Sequence, residues 1–134
     1  MHEAHAQLSL MANIEQRLHQ HAQMDFAFLY NVTTNRLSVG FNVENNALYS
    51  SHYDLLPSEI RLTSFMAIAT NQLPVKSWSA LGRLFTKIDN ETALMSWSGS
   101  MFEYLMPNLV VPTYPGSLLE KMSQSAVERQ IRWG

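Results

Sequence analysis

The sequence predicts a mainly α-helical fold that includes a β-hairpin and a few short strands. Apolar residues recur at three- and four-residue steps between residues 7 and 24, which is typical of an amphipathic helix. Between residues 60 and 70 they cover more than one helix face, which indicates a buried helix. Leu37, Val39, Phe41 and Val43 alternate with polar or small residues, as in a half-buried strand. A hairpin among buried helices indicates part of a large α-helical domain.

Composition narrows the class of protein further. The chain has 134 residues and a formal net charge of −2, and 46% of its residues are hydrophobic while 15% are charged. A typical domain has about 25% charged residues. This balance excludes a disordered chain and argues against nucleic-acid binding. The chain has no cysteine, which excludes a disulfide scaffold, a thiolate zinc site and a Cys nucleophile. Its apolar runs are far shorter than the roughly 18–20 residues of a membrane-spanning helix.

The first half of the chain divides into four predicted elements. A helix covers residues 7–24, and a β-hairpin covers residues 26–43. A second helix begins near Pro57, because proline is well tolerated in a first helical turn, and it continues to residue 70. Pro74 ends that segment, and a short third helix follows over residues 75–81.

The second half begins with two strands, 84–88 and 93–97, around a turn at Asp89 and Asn90. A short helix over residues 101–106 is expected to end at Pro107. The final helix covers residues 118–133, with Ser117 as its N-cap. Glu120 lies three residues after Ser117 and completes a capping box.

Glu59 and Glu103 are the most informative candidates for chemistry, because both lie among apolar or aromatic residues. Desolvation raises the pKa of a carboxyl group, as a general acid requires. Glycoside cleavage uses two such groups, and the ring of Trp97, six residues before Glu103, suits the apolar face of a sugar. Structural alternatives stand beside this hypothesis. Glu59 would complement the helix dipole and pair with Arg61, Glu103 would be a buried carboxylate held by backbone N–H groups or an arginine, and Asp54 would be a turn or cap residue.

Other catalytic classes find little support. His19 and His21 are two residues apart on a helix, so their side chains diverge and do not share a metal ion. The sequence contains no Gly-x-Ser-x-Gly motif and no glycine-rich phosphate-binding motif. We therefore expect no metal and no cofactor.

Several segments in order resemble the glycoamylase-like domain of cyclic β-1,2-glucan synthases. The most specific is Phe102-Glu103-Tyr104-Leu105-Met106-Pro107, within residues 96–107. Residues 24–30, 53–62, 73–78 and the stretch from Tyr114 to Ile131 are also similar, so the resemblance covers residues 24–134.

The resemblance implies an (α/α)6 barrel, of which this chain would form a part with an inserted β-hairpin. It also implies action on β-1,2-linked glucan by a retaining transglycosylase that closes a linear chain into a ring. In that scheme Glu59 is the general acid/base. The residues expected to line or support the cleft are Asp54, Arg61, Trp97, Glu103 and Tyr104.

In the family, a Trp-Gly-Ile-Ser-Glu segment follows the last helix and its glutamate resembles the nucleophile. Because the chain reaches Gly134 before that segment, we expect residues 24–134 to be the N-terminal part of the domain, with residues 1–23 as a linker or N-terminal helix. The isolated chain would be an inactive, soluble segment whose partners are β-1,2-glucan and the remainder of the parent domain. The parent would be associated with a bacterial inner membrane on its cytoplasmic side.

Two other functions stay open from the residues alone. A non-catalytic carbohydrate-binding segment would use Tyr53, Trp97 and Tyr104 as platforms and would need no nucleophile. A structural segment of a polysaccharide-processing protein would use Glu59 and Glu103 as buried struts.

Overall fold

A computed structural model describes residues 2–88 and 91–134. Within these residues the chain forms five α-helices, which are α1 (His2–Ala22), α2 (Ser58–Ala69), α3 (Lys76–Ala80), α4 (Met101–Leu105) and α5 (Leu118–Trp133). Six short strands form three antiparallel pairs, which are β1 (Tyr30–Asn31) with β2 (Arg36–Leu37), β3 (Phe41–Asn42) with β4 (Ala47–Leu48), and β5 (Phe85–Ile88) with β6 (Glu91–Leu94). The turn predicted at Asp89 and Asn90 lies outside the described residues.

The prediction, from the resemblance, that this chain forms part of an (α/α)6 barrel is wrong. In such a barrel, long consecutive helices pack as pairs around a ring, whereas α3 and α4 have five residues each. Helix α5 packs mainly against β6 and α4, and α2 packs against a 3₁₀ turn (Met106–Leu109), α3 and α4. Mainly α-helical remains a correct description, but the described helices do not form consecutive long pairs around a ring.

The core lies around one face of α2. Its buried apolar residues are Leu37, Leu55, Leu56, Ile60, Ala67, Leu73, Leu81, Leu94 and Met122. In α2 itself, Ile60, Ser64 and Ala67 are buried at helical spacing, while Phe65 and Met66 are each 46% exposed. The prediction that α2 is buried nearly all round is therefore wrong, because only one stripe of the helix contacts the core. Full burial of a leucine side chain contributes about 1.5–3 kcal/mol.

Helix α1 begins earlier than predicted and contributes nothing to this core. Every side chain from Glu3 to Ala22 is exposed, including the apolar ones that predicted the helix. After the helix, the side-chain amide of Gln72 fixes the chain in place. Its nitrogen donates to the carbonyl of Met24 at 2.8 Å, and its oxygen accepts from the N–H of Phe26 at 2.8 Å. Gln72 thus acts like a peptide group of a neighbouring strand.

The predicted single hairpin over residues 26–43 is two hairpins. Residues Ala27–Leu29 form a 3₁₀ turn, and β1 pairs with β2 through a turn in which the Asn31 side chain accepts from the N–H groups of Thr33 and Thr34. Strand β3 then pairs forward with β4 rather than back with residues 26–30. Asparagine side chains that bond to the following backbone favour such tight reversals.

From Pro57 onward, the observed helices and strands follow the sequence prediction closely. Helix α2 starts directly after Pro57, and α3, β5, α4 and α5 lie within a few residues of the predicted bounds. The Oγ of Ser117 accepts from the N–H of Glu120 at 3.2 Å, as expected for an N-cap. The Glu120 carboxylate, however, accepts from the N–H of Gly116 at 2.6 Å, one residue before the position that a capping box predicts.

Arg61 joins α2 to α4. Its side chain is only 4% exposed, and its guanidinium donates to the main-chain carbonyls of Glu103 and Tyr104 in the last turn of α4. The last carbonyls of a helix have no partner within the helix and form its negative end, so a cation is favourable there. Burial lowers the pKa of Arg61 from its ordinary value.

The contact between Arg61 and α4 predicts the effect of removing the guanidinium. Arg61→Ala removes the guanidinium donor from the half-buried carbonyl of Glu103 and leaves that of Tyr104 to the Ser123 hydroxyl, which donates at 3.4 Å. We therefore expect the free energy of unfolding to fall by about 2–4 kcal/mol. Urea unfolding followed by circular dichroism measures this change. Arg17→Ala, on the exposed face of α1, is the matched control and should change stability by less than about 0.5 kcal/mol. Equal stability of the two variants would contradict the prediction.

Candidate functional site

One hydrogen-bond network joins five of the six residues that the sequence singled out. It connects the segment before α2, α2 itself, the loop between β6 and α4, and α4. The members of the network are Asp54, Arg61, Trp97, Glu103 and Tyr104. Residues that are far apart in the sequence therefore lie together, with Arg61 buried and Trp97 exposed.

The carboxylate of Glu103 holds the loop before α4. It accepts from the N–H of Trp97 at 3.0 Å, from the N–H of Ser98 at 3.3 Å and from the hydroxyl of Ser98 at 3.0 Å. Ser100 caps α4 by accepting from the N–H of Phe102 at 3.1 Å. The Glu103 side chain thus reaches back past the cap and fixes the loop. Of the two structural alternatives for Glu103, the one with backbone N–H donors matches this geometry.

Trp97 is held on one face and at one edge. Its ring stacks on Tyr53 with 5.4 Å between the ring centroids and 22° between the ring planes. Its indole N–H donates to Oδ2 of Asp54 at 3.0 Å. The side chain is nevertheless 53% exposed. An aromatic ring that is both fixed and exposed in this way is suited to contact a ligand.

Gly82 leaves room for the carboxylate of Asp54. The two residues form a parallel bridge, and the N–H of Leu55 donates to the carbonyl of Gly82 at 2.9 Å. A Cβ atom at position 82 would lie 1.9 Å from Oδ1 of Asp54. Any side chain there would displace the carboxylate that holds Trp97. Gly82 was missed by sequence reasoning, because nothing local in the sequence relates it to Asp54.

Tyr104 links α4 to the end of β6 and to Arg61. Its hydroxyl donates to the carbonyl of Leu94 at 2.5 Å, and its own carbonyl accepts from Arg61 at 3.3 Å. Burial, and secondly the negative charge of Glu103, raise the pKa of Tyr104 above its ordinary value. Its hydroxyl is thus used within the fold.

Glu59 has a different environment from Glu103. It lies in the first turn of α2 with an exposed side chain, and its main-chain carbonyl accepts from the hydroxyl of Thr63 at 2.7 Å. A negative charge in that turn complements the helix dipole. The side chain of Glu59 is exposed to solvent, and the carboxylate of Glu103 binds the loop before α4.

Comparison with known proteins places these residues in context. The sequence matches no protein family model. It is 48% identical over 111 residues to the cyclic beta-(1,2)-glucan synthase NdvB of Rhizobium meliloti (strain 1021). The chain is related to a segment of this synthase. The matched residues make up 83% of the chain but 4% of the synthase, so the chain corresponds to a small part of that relative. The predicted relationship to cyclic β-1,2-glucan synthases is confirmed.

The segment related to the synthase also contains a cavity that the sequence did not predict. Its volume is about 390 Å³, and it lies between α2 and residues 107–119. Most of its lining is apolar, including Leu62, Phe65 and Val111, although Arg61 reaches its wall. A lining of this kind offers few donors and acceptors to sugar hydroxyl groups, which need several that converge.

No group of three His, Cys, Asp or Glu side chains in residues 2–88 and 91–134 is arranged to hold a metal ion. None of the described helices is both long and apolar enough to span a membrane.

The raised pKa of Tyr104 predicts a change in stability at alkaline pH. The folded protein keeps the Tyr104 proton where the unfolded chain, with an ordinary pKa of 10.0, has lost it. The contribution of this group is therefore complete below about pH 10 and is lost as the pH rises through the folded value. We expect the free energy of unfolding of Tyr104→Phe to fall less steeply above about pH 10 than that of the wild type.

Urea unfolding at several pH values between about 7 and 11 measures this difference. Tyr114→Phe is the matched control, since Tyr114 is 69% exposed, and its pH dependence should follow that of the wild type. At neutral pH, Tyr104→Phe should cost about 1 kcal/mol through its lost hydrogen bond. Parallel curves for Tyr104→Phe and the wild type would contradict the prediction.

Proposed function

We propose that the chain is part of a retaining glycoside hydrolase or transglycosylase that acts on β-1,2-linked glucan. The observation that carries this proposal is the 48% identity over 111 residues to a protein named as a cyclic β-1,2-glucan synthase. The exposed stack of Tyr53 and Trp97, with carboxylates beside it, supports a carbohydrate substrate.

Retention of configuration requires two displacements and two carboxyl groups. A nucleophilic carboxylate attacks the anomeric carbon, and the glycosidic C–O bond breaks as the general acid protonates the leaving oxygen. The general acid, now a carboxylate, then removes the proton from a hydroxyl group that attacks the anomeric carbon of the glycosyl-enzyme. The bond between that carbon and the nucleophile breaks. A hydroxyl from the end of the same glucan gives a ring, and water gives hydrolysis.

Within this scheme Glu59 is the general acid/base. Its exposed position in the first turn of α2 supports this role, because the carboxyl group must reach both the leaving oxygen and the incoming hydroxyl. Glu103 is less suited to it. Its oxygens already accept from Trp97 and Ser98, and a change in its protonation would release that loop.

The nucleophile in this proposal belongs to a Trp-Gly-Ile-Ser-Glu segment, which the 134 residues do not contain. The first experiment therefore incubates linear β-1,2-glucan with the 134-residue chain and with a longer protein that also contains this segment. Products are identified by mass. We expect cyclic or shortened glucans from the longer protein alone. Turnover by the 134-residue chain would contradict this expectation and make Glu59 and Glu103 the carboxylate pair.

In the longer protein, Glu59→Gln removes the proton that the leaving oxygen needs, so we expect kcat to fall by about 10²–10⁴-fold. Glu44→Gln is the matched control, because Glu44 is exposed in the turn between β3 and β4, and its kcat should equal that of the wild type. Turnover by Glu59→Gln close to that of the control would remove Glu59 from the acid/base role.

A non-catalytic carbohydrate-binding segment is the second candidate. It is favoured by the Trp97 network, in which Tyr53 and Asp54 hold the ring and Glu103 holds the main-chain N–H. Glucan binding without turnover in the longer protein would favour this function over the enzymatic one.

A further inference from the structure

The position of Trp97 is fixed by contacts on several sides. Tyr53 covers one face of its ring, Asp54 accepts from its indole N–H, and Glu103 accepts from its main-chain N–H. The side chain is still 53% exposed, and Tyr53 stacks on only one of its two faces. An exposed tryptophan without a functional contact does not need to be held at its face, its edge and its backbone.

We propose that the free face of Trp97 binds the face of a glucose ring, and that Asp54, Gly82 and Glu103 are positioning residues for this contact. The identity of the sugar rests on the proposed function, while the contact itself rests on the geometry. This inference changes the expected roles of Asp54 and Glu103. They act through Trp97 rather than as a direct sugar ligand or a second catalytic acid.

The chemistry around the ring favours a neutral sugar. One face of a β-glucopyranose presents C–H groups, which pack on an aromatic ring, while its hydroxyl groups project at the edge. Asp54 and Glu103 place negative charge beside Trp97, and this charge repels phosphates and carboxylates but not the neutral hydroxyl groups of a sugar. A protein partner is less well matched, because the centres of protein interfaces are depleted in charged residues.

Glu103 provides the positioning through the backbone. Its carboxylate binds the N–H groups of residues 97 and 98, and its own carbonyl is held by the buried Arg61. The loop is thus fixed relative to α2 before any ligand arrives. Binding to a side chain that is already ordered costs less conformational entropy than binding to a mobile one.

Gly82 and Asp54 provide the positioning through the indole edge. A methyl group at position 82 would overlap Oδ1 of Asp54, so Gly82→Ala must turn the carboxylate away from the indole N–H. The ring of Trp97 then loses its edge contact, although position 82 itself does not touch it in this scheme. Asp54→Ala removes the same hydrogen bond directly, so the two variants should have similar effects on sugar binding.

The test titrates the 134-residue chain with linear β-1,2-gluco-oligosaccharides and measures Kd by calorimetry. Trp97→Ala should raise Kd by about tenfold or more, because it removes the stacking contact. Trp133→Ala is the matched control, since Trp133 is 80% exposed, and its Kd should equal that of the wild type. Asp54→Ala, Gly82→Ala and Glu103→Ala should each raise Kd by roughly threefold to tenfold.

A double substitution separates positioning from general loss of structure. Phenylalanine at position 97 can still stack but has no N–H for Asp54 to accept. If Asp54 acts through the indole, Asp54→Ala should raise Kd in the wild type and have no further effect in Trp97→Phe. An equal effect in both backgrounds would overturn the positioning role. Circular dichroism confirms that each variant is folded.

Oligosaccharides with β-1,3 and β-1,4 linkages distinguish failure of the site from failure of the proposed substrate. If β-1,3- or β-1,4-linked chains bind through Trp97 and β-1,2-linked chains do not, the stacking site is supported and the proposed substrate is wrong. If no glucan binds in a way that depends on Trp97, the proposed binding site is wrong, whatever reaction the longer protein catalyses. In the longer protein, Trp97 could be protected from solvent while Trp97→Ala has no effect on glucan binding. That result would mean that Trp97 contacts another part of the protein, and it would overturn the proposal.

Discussion

The buried guanidinium of Arg61 is the contact on which the geometry of the site depends. A charge with 4% exposure is costly to bury, and the two carbonyls at the end of α4 offset that cost because the negative end of the helix faces the cation. This contact fixes α4 relative to α2. Since Glu103 lies in α4, the same contact fixes the starting point of the hydrogen bonds between Glu103 and the loop of Trp97 and Ser98.

Glu103 shows why structural and functional roles are difficult to separate in this region. Its carbonyl belongs to the contact with Arg61, while its carboxylate belongs to the loop of Trp97 and Ser98. A carboxylate offers only acceptors, which suits a loop that presents two N–H groups and a hydroxyl. A glutamine would direct an amide NH₂ at some of these donors. The structural role considered for Glu103 and its proposed role in positioning Trp97 therefore use the same hydrogen bonds.

Much of the local structure could be predicted from the sequence, because its signals lie within a few residues. Pro57 and Ser117 mark the starts of α2 and α5, and both helices begin there. The contacts that form the candidate site, by contrast, join residues that are far apart in the sequence. Trp97 meets Asp54 across 43 residues, and Arg61 meets the carbonyl of Glu103 across 42. No local pattern encodes such contacts, so the candidate residues were identifiable but their arrangement was not.

The errors in the predicted fold have physical reasons as well. The resemblance correctly indicated a relative but transferred the architecture of a whole domain to 134 residues, and the described helices do not pair as that architecture requires. Helix α1 has the apolar spacing of a packed helix, yet all its side chains from Glu3 onward are exposed. Because none of them is buried, substitutions along α1 leave the core unchanged. A substitution at Arg61 or Gly82, by contrast, disturbs the contact that holds α4 or the carboxylate that holds Trp97.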